Sequence, residues 1–161
     1  MDKIDYSKLM GFIIDDNKLS SEDNLRTPLL GLYSLFKELK QLGYKKVFVL
    51  SCDNPFIKPE VLEFFMGISY GYDLCIPKWE NGFVEPLFTI YPIKKAYKTA
   101  KYSLEKKKYK LTNIINQKWK IRYVSIEQEI NIYDSELISF KNLNKPSDVE
   151  ELERRKIKEK N

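Results

Sequence analysis

Apolar runs alternate with helical stripes along this chain, and the alternation predicts an α/β fold. Segments with apolar residues at helical spacing begin at Pro28, Pro59 and Pro92, and a last helix is predicted from Pro146. A shorter helix is predicted over residues 111–116. Strands are predicted at residues 11–14, 46–52, 74–76, 83–91 and 119–126.

The order of these segments predicts a particular architecture. Strands that alternate with helices favour a three-layer α/β/α arrangement around a mostly parallel, Rossmann-like sheet. Asn81-Gly82 is a strong hairpin signal and lies between two predicted strands, so we expect one antiparallel strand. At 161 residues, the chain fits a single domain over residues 1–161.

The apolar run from Val47 to Leu50 is the most informative of the predicted strands. It is unbroken and bounded by polar residues, which is typical of a strand buried on both faces. Asp53 follows it, and a carboxylate where such a strand leaves an α/β sheet lies where ligands usually bind. This carboxylate could hold a divalent metal over a polyphosphate. The alternative is that Asp53-Asn54-Pro55 serves only as a turn.

Composition limits the chemistry and the partners of the chain. There is no histidine, which excludes a histidine base and histidine metal ligands, so acid–base and metal chemistry must use carboxylates, amides, lysine or tyrosine. The net charge of +5 suits a phosphate-bearing ligand but is too small to indicate nucleic acid. No apolar stretch is long enough to span a bilayer and no secretory signal is present, so we expect a cytoplasmic protein without a membrane partner.

Two cysteines, Cys52 and Cys75, lack metal-site spacing and both fall in predicted strands. We expect buried, inert thiols. The alternative is a disulfide bond between them, if the source is a hyperthermophile. The high content of lysine, glutamate, isoleucine and tyrosine weakly favours such a source.

Four short segments carry the candidate chemistry. The segment 27–31 opens a helix whose free N–H groups we expect to attract an anion. Asp53 ends a strand, and the segment 85–91 carries Glu85 into an apolar strand. The segment 140–148 places two asparagines just before a predicted helix start.

In order and spacing, these segments resemble the molybdenum cofactor guanylyltransferase family, MobA-like nucleotidyltransferases of the glycosyltransferase-A-like fold. That family shows a Gly-Pro-Leu-Ala-Gly helix start, a Cys-Asp-x-Pro strand end, a Glu-Pro-Leu strand and an Asn-x-Asn-x-Pro-x-Asp stretch. Thr27 and Leu30 depart from the first motif, and the other three match. The resemblance runs from about Gly11 to Leu152.

The resemblance implies transfer of GMP from GTP to molybdopterin. The molybdopterin phosphate attacks the α-phosphorus of GTP, Mg²⁺ stabilises the developing charge, and pyrophosphate leaves. The resemblance implies that Asp53 is the catalytic residue and binds Mg²⁺, with Asn144 as a second metal ligand. The residues implied in nucleotide binding are Asp16, Pro28, Leu29, Gly31 and Asp53. The residues implied in substrate binding are Glu85, Asn142 and Asn144.

Each assignment has a structural alternative. Asn144 could be only the N-cap of the last helix. Glu85 could be a rim residue paired with a lysine. Asp16 could be a loop carboxylate in solvent. For the protein as a whole, the alternatives are a non-catalytic homologue that acts as a partner- or cofactor-binding subunit, and a sugar-nucleotide transferase of the same fold.

The glycine-rich segment that wraps the triphosphate in this family has no match in the sequence. The chain has six glycines, none of them adjacent to another. We therefore expect an N-terminally truncated fold in which the strand over 46–52 has lost a neighbour. A homodimer or a partner chain would cover the exposed sheet edge, the true start codon could lie upstream, and the isolated chain would show weak or absent catalysis.

Overall fold

The computed structural model describes residues 13–16 and 26–142, and these form two compact units. The first contains the described residues of Met1–Val47 and Pro92–Gln117, and the second those of Phe48–Tyr91 and Lys118–Asn161. The expectation of a single domain stays a prediction. The helices and strands are α1 (Pro28–Gln41), β1 (Lys46–Leu50), α2 (Pro59–Ile68), β2 (Leu74–Lys78), β3 (Phe88–Pro92), α3 (Ile93–Glu105) and β4 (Ile121–Ser125).

The four strands form one mixed sheet in the order β1-β3-β2-β4. Strands β2 and β3 are antiparallel, with Cys75 opposite Ile90. Strands β2 and β4 are parallel, in a register that pairs Leu74 with Ile121. The predicted α/β fold class, with parallel strands and an antiparallel strand from a hairpin, is confirmed.

The hairpin between β2 and β3 turns at Asn81-Gly82, as predicted. Gly82 adopts a φ of +91°, which a side chain would disfavour, and its N–H donates to the Trp79 carbonyl over 2.9 Å. The predicted strand over 83–91 is interrupted. Val84 forms an isolated antiparallel bridge with Lys78, but the continuous strand begins only at Phe88. Between them the chain makes a turn, in which the Glu85 carbonyl accepts the Phe88 N–H at 3.0 Å. Glu85 therefore precedes the strand instead of lying within it.

Strand β1 lies at one edge of the sheet. The prediction that it is buried on both faces is wrong: Val49 is buried, but Leu50 is 40% exposed. An apolar run has the same appearance in a central strand and in an edge strand, since burial depends on neighbours that the run does not specify.

Helix α1 begins and ends where its sequence predicts. Thr27 is the N-cap and Pro28 takes the first helical position, where its missing N–H costs nothing. Gly43 follows the last turn with a φ of +81°. The buried stripe of α1 includes Leu29 and Phe36, both 0% exposed.

Residues 11–14 are predicted to form a strand, but the described part of that segment does not. Ile14 is 89% exposed. The Asp16 N–H donates to the Ser34 hydroxyl over 2.8 Å, and the Asp16 carboxylate pairs with Lys37. The polar groups that end this segment are therefore satisfied by α1 and not by a neighbouring strand.

The core of the second unit is built from α2 and the sheet. Phe65 is 0% exposed and meets Phe88 edge-on, with 5.4 Å between the ring centroids. Cys75 is buried there, as predicted, whereas Cys52 is exposed because β1 ends two residues before it. Neither Cys52 nor Cys75 takes part in a disulfide bond.

Two further helices are predicted, over residues 111–116 and from Pro146. The short helix predicted over residues 111–116 is a 3₁₀ turn over Leu111–Ile114. The helix predicted from Pro146 lies outside the described residues. Within the described part of the chain, no helix has both the length and the apolar character needed to cross a bilayer.

Candidate functional site

The loop after β1 carries Asp53, the residue with the strongest predicted role. Asp53 lies in a turn, and its Oδ1 atom is buried with no hydrogen-bond partner among the described residues. A buried carboxylate oxygen without a protein partner is costly, so this atom needs either water or a bound ligand as its partner.

Magnesium fits this oxygen. Mg²⁺ commonly binds one or two protein carboxylates and completes its octahedral shell with substrate phosphates and water. Residues 13–16 and 26–142 contain no group of three or more cysteine, aspartate or glutamate side chains that could hold a metal by themselves. Asp53 therefore suits a metal that is shared with a phosphate-bearing substrate.

A buried polar network fixes the loop that contains Asp53. The Asn54 side-chain amide donates to the Ser139 carbonyl over 3.3 Å. The Lys58 N–H donates to the Ser139 hydroxyl over 3.0 Å. The Ser139 N–H donates in turn to Asp134 Oδ2 over 2.8 Å. The first two hydrogen bonds hold the loop 52–58 against the segment 134–140, and the third fixes Ser139 within that segment.

Asp134 is the charged centre of this network. It is fully buried, and the Lys58 ammonium lies 3.2 Å from its Oδ1 atom, an ion pair without hydrogen-bond alignment. Burial raises the pKa of Asp134. Hydrogen bonds from the backbone and hydroxyl of Ser139, together with the Lys58 pairing, lower it by more than burial raises it, so the net pKa lies below the usual aspartate value. Asp134 is therefore held as a carboxylate.

One predicted substrate residue follows this network along the chain. Asn142 is exposed and follows Ser139 by three residues, which span at most about 10 Å of extended chain. Asn144 lies outside the described residues. The hypothesis that Asp53 and Asn144 share an ion stays a prediction.

Glu85 is fixed by an aromatic side chain. The Trp79 indole N–H donates to Glu85 Oε1 over 2.7 Å, so the pairing with a lysine considered above is replaced by a neutral donor. The Trp79 ring also packs edge-on against Phe140, with 5.8 Å between centroids. Glu85 is thus tied to the segment that contains Ser139, and its role in substrate binding stays a prediction.

The start of α1 differs from its predicted form. The N–H groups of Leu29 and Leu30 donate to the Thr27 hydroxyl and carbonyl, over 3.4 and 3.0 Å. The Gly31 N–H donates to the same carbonyl over 3.5 Å. Pro28 has no N–H. The expectation of free donors for an anion is therefore wrong, because the N-cap residue occupies them.

Two carboxylates lie beside α1. Asp15 Oδ1 lies 3.6 Å from the position that a Cβ atom on Gly31 would occupy, which is an ordinary van der Waals distance. The Asp16 side chain is only 18% exposed and pairs with Lys37. Asp16 is thus not a free loop carboxylate. The nucleotide-binding roles of Asp16, Pro28, Leu29 and Gly31 stay predictions.

The residues that the sequence did not reveal are Lys58, Asp134 and Ser139. Asp134 lies in a stretch of turns without helical or strand periodicity, where an aspartate is usually exposed. Its burial arises from a contact across more than 75 residues of chain, which no local pattern encodes.

The fold and the loop after β1 define an α/β protein with a candidate ligand-binding carboxylate at the end of a strand, and comparison with known proteins gives its family. The model of the MobA-like NTP transferase domain family matches residues 17–120. The chain belongs to that family.

Individual relatives carry consistent names. The chain is 30% identical over 152 residues to a probable molybdenum cofactor guanylyltransferase from Natranaerobius thermophilus, covering 93% of this chain and 69% of that protein. It is 33% identical over 122 residues to a protein of the same description from Pelotomaculum thermopropionicum, covering 76% of this chain and 56% of that protein.

A solved structure supports the fold. The molybdopterin-guanine dinucleotide biosynthesis protein A of Archaeoglobus fulgidus superposes with a TM-score of 0.64 at 28% identity, covering 82% of this chain and 64% of that one. The chain spans about half the length of the curated relatives it matches first, 46% for the protein from Methanosarcina mazei and 56% for that from Pelotomaculum.

Proposed function

We propose that this chain acts in guanylyl transfer from GTP to molybdopterin, with Asp53 as the carboxylate that holds Mg²⁺ beside the nucleotide phosphates. The observation that carries the proposal is the buried and unpartnered Oδ1 atom of Asp53, in a chain of the MobA-like NTP transferase domain family. The names of the relatives support the choice of acceptor and base.

The reaction forms one bond and breaks one. A phosphate oxygen of molybdopterin attacks the α-phosphorus of GTP, and the bond from that phosphorus to the bridging oxygen of the β-phosphate breaks, releasing pyrophosphate. Mg²⁺, when bound, neutralises the charge that develops on the phosphate oxygens. Asp53 would hold the metal, and the contact of Asn54 with Ser139 would keep the turn in place.

The remaining roles belong to the same proposal. Asn142 and Asn144 would contact the substrate, Asn144 would assist with the metal, and Glu85 would contact the substrate from its position beside Trp79. Positioning and charge neutralisation together set the rate of phosphoryl chemistry, so binding is a more direct test of this chain than turnover.

Isothermal titration calorimetry with GTP and Mg²⁺ tests the proposal. We expect binding by the wild type and at least about a tenfold loss of affinity in Asp53→Asn, which removes the charge and keeps the shape. Glu63→Gln is the matched control, because it removes an exposed carboxylate in the same unit. Binding that is equal in Asp53→Asn and wild type, or absent from both, would contradict the proposal.

The sugar-nucleotide alternative is separated by base preference. Thermal shifts with the four ribonucleoside triphosphates and Mg²⁺ should be largest for GTP, since at equal concentration the ligand with the highest affinity stabilises the folded state most. A larger shift with another triphosphate would replace guanylyl transfer by that alternative.

A further inference from the structure

The first unit contains a surface cavity that the proposed function does not use. Its volume is about 380 Å³, within the range of small-molecule sites. The cavity shares no residue with the loop that carries Asp53 and lies wholly in the other unit. Its lining residues are Lys40, Gly43, Tyr44, Lys45, Pro92, Lys94 and Lys95.

The described part of the lining is rich in positive charge. Four of its seven residues are lysines, and none of the seven is a carboxylate. Lys94 and Lys95 occupy the second and third positions of α3, where the helix dipole disfavours cations. The first turn of α3 contains no acidic residue, and Pro92 provides no side-chain cap. An anion in the cavity would interact favourably with the N-terminal end of the helix dipole and with the ammonium groups of Lys45 and Lys94.

Contacts within the first unit hold the walls of the cavity in place. The Ile93 N–H donates to the Lys45 carbonyl over 3.0 Å, which fixes the start of α3 beside the chain that leaves α1. The Lys40 ammonium lies 4.5 Å from the centre of the Tyr97 ring. Tyr97 stacks in turn on Tyr33 of α1, with 5.5 Å between centroids. The concave shape is therefore built into the packing of α1 against α3.

The cavity also has an apolar part. Pro92 is buried, and the Tyr44 ring is 55% exposed. An aromatic face beside several ammonium groups suits a ligand with a planar ring and a phosphate chain, because nucleobases stack on aromatic side chains.

We propose that this cavity binds a polyphosphate anion, with the nucleoside diphosphates as the ligand class. The phosphates would lie beside Lys45 and Lys94, and the base would lie against Tyr44. This site is separate from the GTP site of the proposed reaction.

Amide chemical shifts of the ¹⁵N-labelled full chain locate the binding. We would titrate ADP and inorganic pyrophosphate without Mg²⁺ and follow the amide signals of Tyr44, Lys45, Lys94 and Lys95. We expect saturable shifts at these signals, and about a tenfold weaker affinity in Lys94→Gln/Lys95→Gln. Lys98→Gln/Lys106→Gln is the matched control, since it removes the same charge from exposed positions of the same unit outside the cavity.

Each outcome of this titration bears on the proposal. Equal affinity in the two double variants, or shifts spread over all surface lysines, would overturn it. Lys45→Gln provides a second test from a different element if the first variant loses its native spectrum. A loss of ADP affinity in Tyr44→Ala with pyrophosphate unaffected would identify nucleoside diphosphates as the source of the phosphates. Equal affinity of both ligands for Tyr44→Ala and wild type would restrict the site to free polyphosphate.

Discussion

The buried carboxylate of Asp134 supports the loop that carries Asp53, and its contribution to stability can be worked from its contacts. Asp134→Ala leaves the N–H of Ser139 without an acceptor, and because Ser139 is 0% exposed this costs about 1–3 kcal/mol. The lost ion pair adds at most about 1 kcal/mol, since the Lys58 side chain is 33% exposed and can turn to water. We therefore expect a loss of about 1–4 kcal/mol in the free energy of unfolding.

Urea unfolding followed by circular dichroism measures this loss as a shift of the midpoint at an unchanged slope. Glu105→Ala is the matched control, because Glu105 also pairs with a lysine, Lys101 at 3.8 Å, but both side chains are nearly half exposed. We expect a change within about 0.5 kcal/mol for that control. A loss for Asp134→Ala no larger than for Glu105→Ala would refute the idea that the network stabilises the loop.

Two further predictions follow from local electrostatics and geometry. The pKa of Asp134 is lowered in the folded state, so the stability difference between wild type and Asp134→Asn should be fully present above about pH 5 and shrink as pH falls through 4. Urea midpoints measured from pH 7 to 3 check this. A stability difference that grows on acidification would contradict it. Lys107 follows α3 with a φ of 54°, which glycine adopts more readily than lysine, so Lys107→Gly should raise the free energy of unfolding by about 0.5–1 kcal/mol. Lys106 has a φ of −93°, so the control Lys106→Gly should lower the free energy of unfolding.

Elements with strong local signals could be predicted from the sequence. Helix α1 is specified by Thr27, Pro28 and Gly43, each of which acts on the backbone next to it. The hairpin at Asn81-Gly82 is specified in the same way. These signals need no knowledge of the rest of the fold, so the helix and the turn are placed correctly.

Features that depend on distant neighbours could not be predicted. The apolar run of β1 looks like a central strand, yet its exposure is set by its place at the sheet edge. The helix-start motif at 27–31 suggested free donors, but the Thr27 side chain takes one of them. The network around Asp134 depends on a contact between segments about 80 residues apart, so no local pattern of the sequence could indicate it.

Paramagnetic broadening by Mn²⁺ tests the central claim most directly. Mn²⁺ accepts the same oxygen ligands as Mg²⁺ and broadens amide signals close to it. With GTP present, we predict selective loss of the Asp53, Asn54 and Asn144 signals at low Mn²⁺ in the wild type, and their retention in Asp53→Asn. Broadening that is centred on Glu63 of α2, or that persists unchanged in Asp53→Asn, would contradict the assignment of Asp53 as the metal-binding carboxylate.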